Sequence, residues 1–202
     1  MSLRLCRRSF NFIFAHGAGA GMESEFMQTM TEKLTQHGVS VHLFDFPYMQ
    51  KAKELGKRRP PDKMDKLEQA FLTKVSLIDS SMPLFIGGKS MGGRVASMIV
   101  EQTKAQGCMC LGYPFHPPGK PEKLRTEHLL ELKKPLLVVQ GEKDTFGKRD
   151  EVEGYPLSDS IKVVYLLDGD HSFKPPKRSD ATLEGNIDNA VDAMVEFMKR
   201  HM

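Results

Sequence analysis

Pro83-Leu84-Phe85-Ile86-Gly87-Gly88-Lys89-Ser90-Met91-Gly92-Gly93-Arg94-Val95-Ala96 decides how the chain is read. Its first residues form an apolar run suited to a buried strand, and Met91, Val95, Met98 and Ile99 follow at helical spacing. Between them, Gly88-x-Ser90-x-Gly92 has the form of a nucleophile elbow, a tight turn that exposes a serine oxygen at the carboxyl end of a strand. Strained backbone at such a serine brings strand and helix too close for side chains two residues either side, hence the glycines. A glycine-rich turn with an inert serine would carry the same triplet, so the reading depends on what the rest of the chain supplies.

Apolar runs recur on both sides of this stretch. Phe10 to Ala15 reads as the first strand and leads into His16-Gly17-Ala18-Gly19-Ala20-Gly21. A helix from about Ser24 to His37 presents Phe26, Met30 and Leu34 on one face, with Gly38 as its cap. Val39 to Phe46 reads as the second strand and Gln50 to Pro61 as a polar, basic loop. Asp62 then caps a helix carrying Met64, Leu67, Phe71, Val75 and Ile78 at three- and four-residue steps. Beyond the Ser90 helix, strands are expected at Cys108 to Gly112, Pro135 to Gln140 and Ile161 to Leu167. A polar helical stretch around Glu122 to Leu132 and a short helix near Lys148 to Glu153 separate them, and a final helix spans about Ala181 to Arg200. Near-continuous apolar strands alternating with amphipathic helices predict one α/β domain over 1–202, a three-layer α/β/α sandwich on a mostly parallel sheet of about six strands. In such sheets ligands sit beyond the carboxyl ends of the strands, where all the candidate loops fall.

Composition narrows the partners. A net charge of +3 and a pI near 8.7 are too mild for a nucleic-acid or membrane footprint, which needs clustered basic residues. No apolar run reaches the roughly 18 residues that would span a bilayer. Cys6, Cys108 and Cys110 lack the spacing of a disulfide framework or a zinc site, which predicts a reducing cytosol and no metal; Cys108 and Cys110 alternate on a strand as small buried hydrophobes. The basic Met1 to Arg8 followed by Phe10 to Ala15 resembles an export leader only superficially, because the apolar run is short, contains Asn11 and feeds the glycine-rich loop.

Serine hydroxyl is a weak nucleophile at neutral pH and needs a base, and the base an orienting acceptor. Asp144 follows the fifth strand and His171 the sixth, in the order Ser, Asp, His. Asp168 and Glu142 compete for the acid role. Asp170 adjoins His171 and points away from it in extended backbone. His16 and His116 compete as base, the first suited to holding its glycine-rich loop and the second either to touching substrate or to lying exposed. Acyl transfer also needs N–H donors for an oxyanion: Met91 supplies one and Ala18 the other, with Gly17 as its substitute. Tyr48, Tyr113, Phe115 and His116, with Gly17, are the expected substrate wall. The glycine-rich loop lacks the Lys-Ser/Thr of a phosphate-binding loop and the spacing of a dinucleotide fingerprint.

These motifs carry a family resemblance. His16-Gly17-Ala18-Gly19, Arg59-Pro60-Pro61, Gly88-Lys89-Ser90-Met91-Gly92-Gly93-Arg94, Gly112-Tyr113-Pro114-Phe115-His116-Pro117-Pro118-Gly119-Lys120-Pro121, Gln140-Gly141-Glu142-Lys143-Asp144 and Asp170-His171-Ser172-Phe173 run through nearly the whole chain. It resembles a small α/β-hydrolase of the dienelactone-hydrolase-like branch. More narrowly, it resembles the family that includes testis-expressed hydrolase-like proteins and relatives of a subunit of a histone-acetyltransferase complex. The resemblance implies a reduced α/β-hydrolase fold with Ser90 as nucleophile, His171 as base and Asp144 as acid, with no cofactor. It also implies two function classes: a cytosolic serine hydrolase acting on a small acyl substrate, and a catalytically silent interaction module, since some relatives are non-enzymatic parts of assemblies. Between Gly112 and Pro135 there is no room for a lid domain, which predicts an open cleft and short acyl groups.

Overall fold

The computed structural model describes residues 9–78 and 81–202; Met1 to Arg8, and with them Cys6, lie outside the described residues. Six strands, β1 (Phe10–Ala15), β2 (Val39–Phe44), β3 (Leu84–Lys89), β4 (Gly107–Leu111), β5 (Leu136–Gly141) and β6 (Ile161–Leu166), form one sheet in the order β2-β1-β3-β4-β5-β6. Every neighbouring pair is parallel. Such a sheet needs crossovers, supplied by helices α1 (Glu25–Gln36), α2 (Pro47–Leu55), α3 (Met64–Ser76), α4 (Met91–Ile99) and α5 (Arg149–Val152), with α6 (Leu183–Arg200) closing the chain.

The strands are apolar on both faces because both faces are covered. Phe12, Phe14, Phe85, Met109 and Leu137 pack with Met27, Met30 and Leu34 of α1 and Ile187, Val191 and Met194 of α6. One residue on, Ile13, Ile86, Cys108, Cys110 and Val138 face Leu67, Phe71 and Val75 of α3 and Val95 and Ile99 of α4. The two cysteines are thus buried small hydrophobes with free thiols. Burying each large side chain contributes about 1.5–3 kcal/mol, so truncating fully buried Phe12 to alanine would cost about 3–5 kcal/mol.

Three local expectations change. Pro47–Leu55 is a helix where a loop was expected: Pro47 opens it, Gly56 ends it at φ 59, and Tyr48 is its one buried residue, so a polar sequence hides it. The stretch 122–132 forms only a 3₁₀ turn at Glu127–Leu129, because Leu129 and Leu132 are its buried apolar residues and a longer helix would gain nothing by packing. Lys63, not Asp62, precedes α3, and the Asp62 carboxylate instead accepts from Lys66 Nζ at 2.8 Å.

The chain runs from β1 to β2 on one side and returns to β3 on the other. The carboxyl ends of β1 and β3 therefore flank the switch point where open α/β sheets form a crevice. No inserted domain interrupts the β4–β5 connection. Among the described residues no helix is long and apolar enough to cross a membrane.

Candidate active site

Ser90 stands between β3 and α4 at φ 50 and ψ −114, a region that non-glycine residues occupy at a cost of about 1–3 kcal/mol. The two flanking glycines make that turn possible. A Cβ on Gly88 would lie 2.4 Å from the Gly92 carbonyl carbon, and one on Gly92 would lie 2.6 Å from the carbonyl oxygens of Ala15 and His16.

From this turn the Ser90 Oγ reaches His171 Nε2 at 2.9 Å, and His171 Nδ1 meets Asp144 Oδ2 at 2.7 Å. Asp144 has no solvent exposure, and its carboxylate is fixed from three sides: Gln140 Nε2 donates to Oδ2 at 2.9 Å, the Phe146 N–H to Oδ1 at 2.8 Å, and His171 completes the set. The Phe146 ring lies 4.2 Å from the imidazole, centroid to centroid. The other acids are engaged elsewhere. Asp168 bonds Lys143 and Ser179, Glu142 bonds Arg149 and the Asp168 N–H, and Asp170 accepts from the N–H groups of Ser172 and Lys174.

The loop after β1 is held from behind. His16 is fully buried; its Nδ1 bonds the Gly17 carbonyl at 2.7 Å while Nε2 accepts the Phe46 N–H at 3.1 Å. Burial keeps His16 below the ordinary histidine pKa, in keeping with a neutral ring used on both nitrogens, so it holds the loop as expected. Tyr48 Oη faces the carbonyls of Gly17 and Ala18 at 3.3 and 3.1 Å. In a trans peptide the N–H opposes the carbonyl, so with the Gly17 carbonyl turned toward His16 and Tyr48 the Ala18 N–H faces away from them. The Ser90 carbonyl accepts from the Arg94 N–H within the helix, which likewise directs the Met91 N–H out of the amino end of α4.

A cleft of about 350 Å³ opens here, bordered by Gly17 and Ala18, Phe26 and Met27, Lys89 and Ser90, and Phe146 and His171. This corrects the expected wall. Tyr48, Tyr113, Phe115 and His116 are all buried, at no more than 3% exposure. Tyr48 braces the loop, Tyr113 Oη donates to the Arg125 carbonyl, Phe115 packs against Tyr113 and Tyr155, and His116 Nδ1 bonds the Pro117 carbonyl. Nearness in sequence to a strand end does not say which way a side chain turns. Gln140, Lys89 and Phe146 were not anticipated as site residues. For Gln140 and Lys89 the available signal was a polar residue at or next to the end of an otherwise apolar strand.

The match of residues 8–199 to the alpha/beta hydrolase domain family decides the identity of this fold. The chain belongs to that family. Solved structures agree with the fold. One is an α/β serine hydrolase without lid from Xanthomonas campestris, with 16% identity, coverage of 98% of this chain and 85% of the other, and a TM-score of 0.72. A dienelactone hydrolase from Anabaena variabilis has 20% identity, coverage of 96% and 87%, and a TM-score of 0.69. An esterase from Pyrococcus furiosus has 19% identity, coverage of 97% and 84%, and a TM-score of 0.69. Like the first of these, this member of the family has no lid over its site among the described residues.

Proposed function

We propose that the protein is a cytosolic serine hydrolase cleaving small esters or related acyl substrates through an acyl-enzyme. The observation that supports this most is the unbroken hydrogen-bond chain from Ser90 through His171 to buried Asp144, ending in a strained serine that borders an open cleft. Ser90 Oγ attacks the acyl carbon while its proton passes to His171 Nε2, and Asp144 stabilises the imidazolium that forms. The oxyanion is met by the N–H groups of Ala18 and Met91. His171 then protonates the leaving alkoxide. Water attacks the acyl-enzyme with His171 as base, the acid departs and the Ser90 hydroxyl is restored. No step calls on a cofactor. The sparse cysteines, with free thiols at Cys108 and Cys110, support the cytosol, and the motifs quoted from the sequence support the narrower kinship with testis-expressed hydrolase-like proteins.

No lid covers the cleft among the described residues, and each methylene contributes about 0.8 kcal/mol only where walls remove it from water. Among p-nitrophenyl esters, kcat/KM should peak at acetate to butyrate and should be abolished in Ser90→Ala. A rise continuing to decanoate would contradict the small-substrate reading and put the chain in the neighbouring apolar groove that includes Phe26, Leu183 and Ile187. Absence of turnover by folded protein across the series would favour a silent interaction module.

A further inference from the structure

The loop that carries His171 is under strain. Asp168 and Phe173, at φ 54 and 71, are non-glycine residues in the left-handed region, which costs about 1–3 kcal/mol each unless the surroundings hold them there. Two of its carbonyls are fastened from α6, where Asn186 Nδ2 donates to Leu167 at 3.0 Å and to Phe173 at 2.9 Å. The third fastening comes from the strand that presents the nucleophile: Lys89 Nζ donates to the carbonyl of His171 itself.

Lys89 is an unusual group in this position. It is 8% exposed, and among the described residues it forms no ion pair. Its ammonium lies 5.4 Å from the ring centre of Phe26 and 5.9 Å from that of Phe173. The charged and titratable groups facing it are the Asp144 and Asp170 carboxylates, which favour its charge at longer range, and His171, which it bonds through the backbone. Burial outweighs the carboxylates and pushes the Lys89 pKa down to about 8. A buried ammonium with one carbonyl partner costs stability, so packing gives no account of it.

We propose that Lys89 is a positioning residue, whose ammonium clamps the His171 carbonyl and so fixes the imidazole in line between Asp144 and Ser90. The inference rests on the serine-hydrolase reading and adds to it how the base is aimed. A charged donor makes a hydrogen bond about twice as strong as a neutral one, so the clamp slackens when the ammonium loses its proton. Turnover then has an alkaline limb that belongs to Lys89.

Two measurements on the full chain test this: the rate of labelling by a fluorophosphonate probe, and the pH dependence of kcat on p-nitrophenyl acetate. Lys89→Met keeps the stem and removes the donor. It should label and turn over up to about 10²-fold more slowly with KM unchanged, as a slight misplacement of the base requires. Its thermal midpoint should equal or exceed that of the wild type, and its kcat should be flat above pH 8 where the wild type declines. Wild-type labelling rate in Lys89→Met overturns the clamp alone. No Ser90-dependent labelling of the wild type overturns the hydrolase reading and the clamp with it. If Lys89→Met does not fold, the wild-type profile decides by itself: a kcat flat through pH 8 to 9 overturns the proposal.

Discussion

Two serine–histidine contacts of equal length lie seven residues apart along the same segment. Ser90 Oγ meets His171 Nε2 at 2.9 Å, and Ser97 Oγ meets His128 Nε2 at 2.9 Å. Only the first is arranged for proton transfer. Ser97 Oγ donates its one proton to the Arg94 carbonyl at 2.7 Å, so His128 must be the donor in that contact. Among the described residues His128 has no carboxylate partner; burial and the nearby Arg94 push its pKa down to about 4. His171, by contrast, has Asp144 on Nδ1, leaving Nε2 to accept, and among the described residues Ser90 has no competing side-chain acceptor. Distance alone does not make a nucleophile. What separates the pairs is where each proton is committed and whether a buried acid supports the ring.

The largest effect should come from removing that support. Asp144→Asn keeps the packing but lets the amide favour the wrong imidazole tautomer, and kcat should fall by about 10³–10⁴-fold with the fold intact by circular dichroism. If Asp168→Asn were the crippling change and Asp144→Asn nearly neutral, the proton accounting above would be misassigned.

A smaller effect belongs to the other pair and concerns stability. The ordinary histidine pKa is about 6.5, and in the folded protein His128 lies near 4, so between those values the unfolded chain binds the extra proton. Stability should therefore be fully present above pH 6.5 and decline toward pH 4, by on the order of 1–2 kcal/mol for this partly exposed ring. Urea titrations should show a shallower acid decline in His128→Gln at unchanged esterase activity. His16, also depressed by burial, keeps its share of the slope in both proteins. An equal decline in both, or loss of activity in the variant, would break the distinction between the pairs.

The strands, the elbow and the meeting of Ser90, Asp144 and His171 were legible because each rests on a local rule: apolar runs buried on two faces, glycines forced by contact, and polar residues placed just past strand ends. What escaped depends on direction and on tertiary partners. α2 escaped because Tyr48 is the only buried residue of a polar helix. Tyr113 and Phe115 were expected in the cleft and instead turn under the β4–β5 connection. Lys89 ends β3 and Gln140 lies one residue before the end of β5, where a polar residue reads as a boundary, and their partners lie in loops that only the fold brings near.

The central claim is that Ser90, and not Ser97, is the activated serine. Fluorophosphonate labelling followed by peptide mapping tests it directly. The adduct should fall on Ser90, form in wild type and in Ser97→Ala alike, and vanish in Ser90→Ala. An adduct on another residue, or none on folded wild-type protein, would contradict it.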